Sequence, residues 1–174
     1  SIGYKGEERF SPVMLADENP DFSKTWSLSK ESVILAIGGG TGITARCLNH
    51  VVRDSPCNIV IAGRSNPVLP EYLYDISKES LTGTDLKRRV LEILTQRNVD
   101  VPPELLEKEY SSIEKSREIN ETIDSLQRIG CNVLYIPCDV TDSVSTAVLF
   151  ETIDLKFKRL DAVLYGAGID KSKS

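Results

Sequence analysis

Four glycines within five residues could hold the phosphate groups of a nucleotide. Gly38, Gly39, Gly40 and Gly42 directly follow an apolar run at 33–37 that is typical of a strand buried on both faces. Lacking Cβ atoms, they let the backbone turn sharply and approach a ligand closely. The next apolar residues recur at helical spacing: Ala45, Leu48, Val51 and Val52. The stretch therefore predicts a pyrophosphate-binding turn at a helix N-terminus, where free N–H groups and the helix dipole favour anions.

The spacing of the turn distinguishes between kinds of nucleotide site. A P-loop would need Gly-Lys-Ser/Thr, and Gly42-Ile43-Thr44 has no lysine. The pattern G-x-G-x-x-G fits imperfectly, because Ile43 stands where its last glycine should be. The pattern G-x-x-x-G-x-G fits better, with Gly38, Gly42 and, in place of its final glycine, Thr44. This turn resembles that of short-chain dehydrogenases and reductases. Thr44 replaces the final glycine of that pattern, and the replacement affects how the helix packs against its strand.

Composition bounds the class of protein. The chain has 174 residues, of which 40% are hydrophobic and 27% charged, as expected of one globular domain. A net charge of -5 argues against nucleic acid as a partner. No apolar run suggests a membrane span and nothing reads as a signal peptide, so we expect a cytoplasmic protein. We expect His50 to be solvated and the cysteines to be buried reduced thiols, not metal ligands: Cys47, Cys57, Cys131 and Cys138.

Strand and helix patterns alternate along the chain. Apolar runs predict strands at 33–37, 58–62, 132–136 and 161–165, with helical patterns between them. This alternation predicts an α/β fold, a Rossmann-like doubly wound parallel sheet with helices on both faces. The chain stops soon after the fourth strand, so we expect the sheet to be incomplete at its C-terminal side. The carboxyl ends of the strands should share one edge, where ligands bind.

The stretch between the second and third predicted strands is longer than a crossover needs. We expect a helical insert at 66–102, with a helix at 85–97, before a long helix that starts at Pro102-Pro103 and ends at Gly130. The apolar stripe of the long helix indicates core packing, with partner docking as the alternative; it comprises Leu106, Tyr110, Ile113, Ile119, Ile123 and Leu126. A later helix from Ser143 should bury one face, formed by Phe150, Ile153, Phe157 and Leu160.

The end of the second strand indicates which dinucleotide the edge would hold. An NAD site would present Asp or Glu to the ribose hydroxyls there, whereas this chain presents Arg64 and Ser65. A guanidinium binds a phosphate bidentately, so the 2′-phosphate of NADP is the preferred ligand. The basic residue also disfavours S-adenosylmethionine. The alternative is that Arg64 pairs with a surface carboxylate.

The remaining strand ends resemble the same family. Asp139-Val140 resembles its acidic-aliphatic pair, in which the carboxylate meets the adenine amino group and the next residue packs on the ring. The alternative for Asp139 is a helix cap, but Asp142 is better placed for that role. Gly166-Ala167-Gly168 resembles the small-residue strand end against which ribose and nicotinamide lie. The role of Tyr165 is open.

Taken together, these segments resemble the ketoreductase domain of multidomain polyketide and polyunsaturated-fatty-acid synthases over residues 32–174. The narrower resemblance lies in residues 37–45, 62–65, 160–169 and Arg117-Glu118-Ile119 within the long helix. It implies NADPH-dependent reduction of a β-ketoacyl thioester carried on an acyl carrier protein, with other synthase domains as partners. The expected cofactor-binding residues are Gly38, Gly39, Gly40, Thr41, Gly42, Ile43, Arg64, Ser65, Asp139, Val140, Gly166, Ala167 and Gly168.

The resemblance also implies a catalytic tyrosine, lysine and serine, which we expect beyond Ser174. Tyr74 and Lys78 show the Tyr-x-x-x-Lys spacing, but they lie in the insert and we interpret this as chance. Residues 1–30, which begin without methionine, suggest a linker or packing segment of a longer polypeptide, ahead of a domain at 31–174. We expect the 174-residue piece alone to be inactive. The alternative is a non-catalytic NADP-binding or structural Rossmann domain with the long helix as a docking surface.

Overall fold

The computed structural model describes residues 3–6, 8–10, 27–97 and 100–168, and its main body is a four-stranded parallel sheet covered by helices. The strands are β1 (Gly3–Lys5), β2 (Glu8–Phe10), β3 (Val33–Ile37), β4 (Asn58–Gly63), β5 (Asn132–Pro137) and β6 (Ala162–Tyr165). The helices are α1 (Gly42–Val52), α2 (Glu71–Lys78), α3 (Gly83–Gln96), α4 (Pro103–Ile129) and α5 (Ser143–Phe157). The α/β prediction and the four predicted strands are confirmed.

The segment before the sheet is described only in part. Strands β1 and β2 pair antiparallel, a hairpin that the sequence did not predict. Most of the remaining segment predicted as a linker, 11–26, lies outside the described residues, as do residues 169–174 at the end of the chain.

The sheet has the strand order β5-β4-β3-β6, and its three pairings are parallel. Backbone hydrogen bonds continue past the strand ends: Gly38 N–H donates to Ala62 O at 2.7 Å, and Gly166 N–H donates to Ile37 O at 2.9 Å. The carboxyl ends of β3, β4, β5 and β6 therefore lie along one edge, and the turns that follow them begin in register. Among the described strands, β6 is an outer strand of this sheet.

Helices cover both faces of the sheet, which is why every residue of β3 is buried. One face packs against α1 and α4, with Ile34 and Ile61 of the sheet meeting Leu48 and Leu126 of the helices. The other face packs against α5 in a single cluster, to which the sheet contributes Val33, Leu35, Val60 and Ala62 and the helix contributes Leu149 and Ile153. The predicted doubly wound arrangement is confirmed.

The predicted buried face of α5 is partly wrong. Ile153 is buried and Phe157 half-buried as expected, but Phe150 is 45% exposed, Leu160 is 37% exposed, and Leu149 is buried instead. Helix α5 carries apolar side chains around its whole circumference, including the exposed Val144, Val148 and Leu155. Periodicity alone does not select a face in such a helix, so contact with the sheet does.

The region between β4 and β5 forms a helical subdomain with its own core. Leu73 and Ile76 of α2, Leu86, Val90 and Leu94 of α3, and Ile113 of α4 form one buried cluster. Further along α4, Leu126 belongs to the core beneath the sheet. Most of the apolar stripe of α4 is therefore covered within this chain, which leaves the docking alternative little apolar surface on this helix.

One arginine ties α2 to α4. The Arg117 guanidinium donates to four carbonyl oxygens at and after the end of α2: Ile76 (2.9 Å), Ser77 (2.8 Å), Glu79 (2.6 Å) and Leu81 (2.6 Å). The last carbonyls of a helix have no partner within the helix, and the planar guanidinium satisfies several of them at once. The side chain thus fixes the α2–α3 connection against α4.

The glycine turn after β3 touches the end of β6. A methyl group at Gly38, where φ is +75°, would lie 3.0 Å from both Gly166 C and Ala167 N, so a side chain there is excluded by backbone. A methyl group at Gly166 would overlap the Thr44 hydroxyl and lie 2.8 Å from Thr44 Cγ2. Thr44, which departs from the glycine pattern, fits because Gly166 has no side chain opposite it.

This complementarity predicts a pair of compensating substitutions. We expect Gly166→Ala to lower the free energy of unfolding by about 1–3 kcal/mol through overpacking against Thr44, and Thr44→Gly to recover much of that loss when added to it. Gly168→Ala is the matched control, since a methyl group there has no neighbour within 4 Å. Denaturant unfolding of the unaltered protein, the two single variants at Gly166 and Thr44 and the double variant measures the coupling between these residues. Additive losses of unfolding free energy would contradict the predicted coupling.

The Arg117 contacts predict a local loss of stability. We expect Arg117→Met to destabilise the protein by about 2 kcal/mol or more, because four partly buried carbonyls lose their donor. Arg117→Lys should restore only part of the loss, since one ammonium does not span four acceptors. Hydrogen exchange should show the change concentrated in α2 and its connection to α3. Arg128→Met is the control, because among the described residues Arg128 donates only to Asp124 O within α4. An equal effect of that substitution would refute the assignment.

Candidate functional site

A cavity of about 460 Å³ opens at the carboxyl edge of the sheet. Segments from the ends of all four parallel strands line it together with α4. Ten of the predicted site residues are among its lining residues: Gly38, Gly40, Thr41, Arg64, Ser65, Asp139, Val140, Gly166, Ala167 and Gly168. The tertiary structure therefore brings together segments that are up to 130 residues apart, counted from Gly38 to Gly168 (168 − 38).

Three predicted residues do not line the cavity. Gly39 is buried beneath the turn, where a methyl group would meet Ala36 Cβ at 2.6 Å, so its lack of a side chain serves the packing of the turn on β3. Gly42 and Ile43 begin α1, and the Ile43 side chain is 80% exposed.

The turn fits closely against the wall of the cavity at Gly40. A methyl group at Gly40 would lie 3.1 Å from Ile119 Cγ1 and 3.3 Å from Tyr135 Cε2. A larger side chain would have to displace Ile119 and Tyr135 or project into the cavity. The glycine thus keeps the cavity open beside the start of α1.

The N-terminus of α1 holds a carboxylate from a distant helix. The Gly42 N–H donates to Glu118 Oε1 at 2.8 Å, and Gly42 has a φ of +64°. Thr41 makes no side-chain cap and α1 has no acidic residue in its first turn. Glu118 of α4 therefore supplies the negative charge that a helix N-terminus favours. It lies beside the backbone where the sequence predicts a phosphate.

Two hydroxyl groups hold the segment that carries Arg64. The Tyr135 hydroxyl donates to Ser65 O at 2.7 Å, and Ser116 Oγ donates to Pro67 O at 2.6 Å. Burial raises the pKa of Tyr135, so its hydroxyl remains a donor at neutral pH. A methyl group at Gly63 would lie 2.9 Å from the Tyr135 oxygen. Tyr135 of β5 and Ser116 of α4 thus fix the path of the backbone after β4.

Arg64 and Asp139 follow neighbouring strands. The Thr141 N–H and hydroxyl donate to Asp139 Oδ1 at 3.0 and 2.7 Å, and these bonds, helped by the positive charge of Arg64, hold the pKa of Asp139 below its usual value. Asp142 caps α5 as predicted, accepting from the N–H groups of Val144 and Ser145. Within the described part of the chain, no carboxylate oxygen lies within 4.0 Å of Arg64, so the surface-pair alternative is not seen there.

The cysteine prediction is correct for three of the four residues. Cys57, Cys131 and Cys138 are buried, whereas Cys47 is exposed because it lies on the side of α1 away from the core. Burial, with smaller effects of Cys131 and Asp161, raises the pKa of the Cys57 thiol to about 11, so it stays protonated at neutral pH.

His50 is exposed as predicted. Across residues 27–97 and 100–168, no cluster of three His, Cys, Asp or Glu side chains is arranged to hold a metal ion.

Several further residues that the sequence did not single out for this site also line the cavity: Lys115, Ile119, Tyr135, Cys138 and Thr141. Lys115 and Ile119 are four residues apart on α4, a spacing that places them on one helix face, but only the packing of α4 shows what that face meets.

Tyr165 also lines the cavity and is 63% exposed. Tyr74 and Lys78 do not line it; they lie on α2, with Lys78 Nζ 4.0 Å from the centre of the Tyr74 ring. Of the helices that the structure describes, none is both long and apolar enough to cross a membrane.

Comparison with known proteins agrees with this architecture. A polyunsaturated fatty acid synthase polypeptide of Thraustochytrium sp. (strain ATCC 26185 / S-3) is 21% identical over 147 residues, which cover 82% of this chain and 5% of that protein. A ketoreductase domain from the bacillaene assembly line aligns with a TM-score of 0.54 at 19% identity, covering 99% of this chain and 29% of that one. An N-terminal ketoreductase from the macrolactin assembly line gives 0.52 at 18% identity, covering 84% and 20%.

The chain thus spans only a small part of each of these proteins, and the two structural likenesses concern the fold. The family model described as "KR domain" matches residues 32–174, most of the chain. The resemblance found in the sequence is confirmed at this level: the chain belongs to the KR domain family.

Proposed function

We propose that this chain provides the cofactor-binding part of a ketoreductase domain, at 31–174, that uses NADPH to reduce a β-ketoacyl thioester on an acyl carrier protein to the β-hydroxyacyl thioester. One observation carries the proposal: the glycine turn, Arg64-Ser65, Asp139-Val140 and the segment 166–168 line the same cavity. Membership of the KR domain family supports reductase chemistry. The synthase names of similar proteins support other synthase domains as partners.

The residues at the cavity suit a dinucleotide with a 2′-phosphate. The missing side chain at Gly38 lets the turn lie against the backbone of Gly166 and Ala167, and the missing side chain at Gly40 keeps the cavity open for a closely held pyrophosphate. The backbone at Thr41, Gly42 and Ile43 belongs to a helix N-terminus, which favours the pyrophosphate charge.

Each remaining part of the cofactor has a proposed contact. Arg64 and Ser65 bind the 2′-phosphate, and a guanidinium suits this role because it stays charged and donates bidentately. Asp139, held ionised, accepts from the adenine amino group, and Val140 packs on the ring. Gly166, Ala167 and Gly168 face the ribose and nicotinamide. When bound, NADPH supplies the hydride for the ketone.

A synthase polypeptide that contains this chain tests the reaction. We expect oxidation of NADPH that depends on a β-ketoacyl thioester, with the β-hydroxyacyl thioester identified on the carrier protein by mass spectrometry. Tight NADPH binding without turnover would favour the non-catalytic alternative. Absence of both binding and turnover would refute the proposal.

Arg64 provides the test of cofactor choice. We expect Arg64→Ala to weaken NADPH binding by about 10- to 100-fold, the loss typical of a charge-assisted bidentate contact, and to change NADH binding little. Fluorescence titration with each cofactor measures the two affinities. Arg46→Ala is the matched control, since Arg46 is an exposed arginine of α1 that does not line the cavity. Equal losses for NADPH and NADH would remove the argument for NADP.

Glu118 provides a test of the pyrophosphate position. Its carboxylate accepts from Gly42 N–H and so places a negative charge where the proposal puts a second anion. We expect Glu118→Gln to tighten binding of NADPH and NADH alike, by about threefold, because the variant lacks the carboxylate charge that repels the pyrophosphate at the N-terminus of α1. Glu121→Gln, an exposed glutamate of the same helix, serves as control. Weaker binding of both cofactors to the Glu118 variant would show that the carboxylate supports the site.

A further inference from the structure

Helix α4 forms a wall of the cofactor cavity as well as part of the core. Ile119 and Lys115 both line the cavity, and Ile119 approaches the glycine turn at Gly40. Helix α4 leads into β5 through Gly130, so moving back along α4 means moving toward the carboxyl edge of the sheet. Lys115 lies four residues before Ile119, about 6 Å further in that direction. Lys115 therefore lies toward the rim of the cavity, where the strand-end segments meet.

The contacts of its neighbour place Lys115 beside the segment that carries Arg64. Ser116 is 3% exposed, and its hydroxyl donates to Pro67 O at 2.6 Å. The Tyr135 hydroxyl donates to Ser65 O of the same segment at 2.7 Å. The backbone from Arg64 to Pro67 is thus fixed against α4 at the position next to Lys115.

The cavity lining carries more positive than negative charge. Its charged lining residues are Arg64, Lys115 and Asp139, and Asp139 Oδ1 already accepts two hydrogen bonds from Thr141. Within the described ranges, neither Arg64 nor Lys115 has a carboxylate oxygen within 4.0 Å. Two cations therefore remain available to a ligand at this end of the cavity.

We propose that Lys115 is a second cationic contact for the 2′-phosphate and, together with Arg64, determines the preference for NADPH over NADH. A phosphomonoester carries a charge of about −1.5 to −2 near neutral pH, so one guanidinium leaves it incompletely neutralised. A lysine suits the second contact, because its ammonium is a compact charge on a flexible stem that reaches from a helix over a rim. The inference rests on the proposed function and extends it to a residue of the long helix.

The test compares NADPH and NADH binding, by fluorescence titration, to the chain with and without the Lys115 charge. We expect Lys115→Gln to weaken NADPH binding by about threefold to tenfold and to leave NADH binding within about twofold. Lys115→Arg should keep the preference for NADPH, because it keeps the charge. Lys108→Gln is the matched control, since Lys108 is an exposed lysine two turns earlier on α4 that does not line the cavity. Thermal unfolding of each variant checks that the fold is retained.

The outcomes separate this inference from the proposed function. If Arg64→Ala abolishes the preference for NADPH and Lys115→Gln leaves it intact, the role of Lys115 is refuted while the proposed cofactor stands. Equal weakening of NADPH and NADH binding by Lys115→Gln would also refute the role of Lys115. Such a result would indicate contact with the pyrophosphate, which both cofactors carry, and not with the 2′-phosphate. If the unaltered chain shows no preference for NADPH, the cofactor assignment fails, and this inference fails with it.

Discussion

The geometry of the site depends on how closely the glycine turn approaches the end of β6. Gly38 lies against the backbone of Gly166 and Ala167 with no room for a methyl group between them. The same approach seats Thr44, in the first turns of α1, against the bare backbone of Gly166. Because the Gly38 backbone and the Thr44 side chain both press against main-chain atoms at the end of β6, they leave little freedom in where α1 begins. The helix N-terminus is thereby held at the same sheet edge as the segments after β4 and β5.

Helix α4 connects this edge to the rest of the molecule through four consecutive residues. Ser116 bonds the segment after β4, and Arg117 bonds the end of α2 and the residues after it. Glu118 accepts from the N-terminus of α1, and Ile119 packs toward Gly40. Successive residues of a helix point about 100° apart, so four in a row contact neighbours on every side. The helical insert is thus joined to the cavity, and its stability and the shape of the site are coupled.

Charge is distributed unevenly over an acidic chain. The net charge is -5, yet the cavity lining has two cations and one carboxylate, and the N-terminus of α1 borders it. Asp139 stays ionised through bonds within its own turn, which leaves Arg64 without a tight partner in the described part of the chain. Such an arrangement attracts an anion to one end of the cavity while the surrounding surface repels it.

Local patterns in the sequence determined the four strands, the two-sided sheet and the insert, because strand and helix periods act over a few residues. The glycine turn, the basic end of the second strand and the resemblance of the other strand ends to a known family pointed to ten of the cavity residues. The tertiary structure alone decided that Leu149, not Phe150, faces the sheet, since α5 is apolar all round. It also decided that Glu118 meets Gly42, 76 residues earlier, and that Lys115 and Tyr135 border the cavity. These contacts depend on how complete elements pack, and no short stretch of sequence specifies that packing.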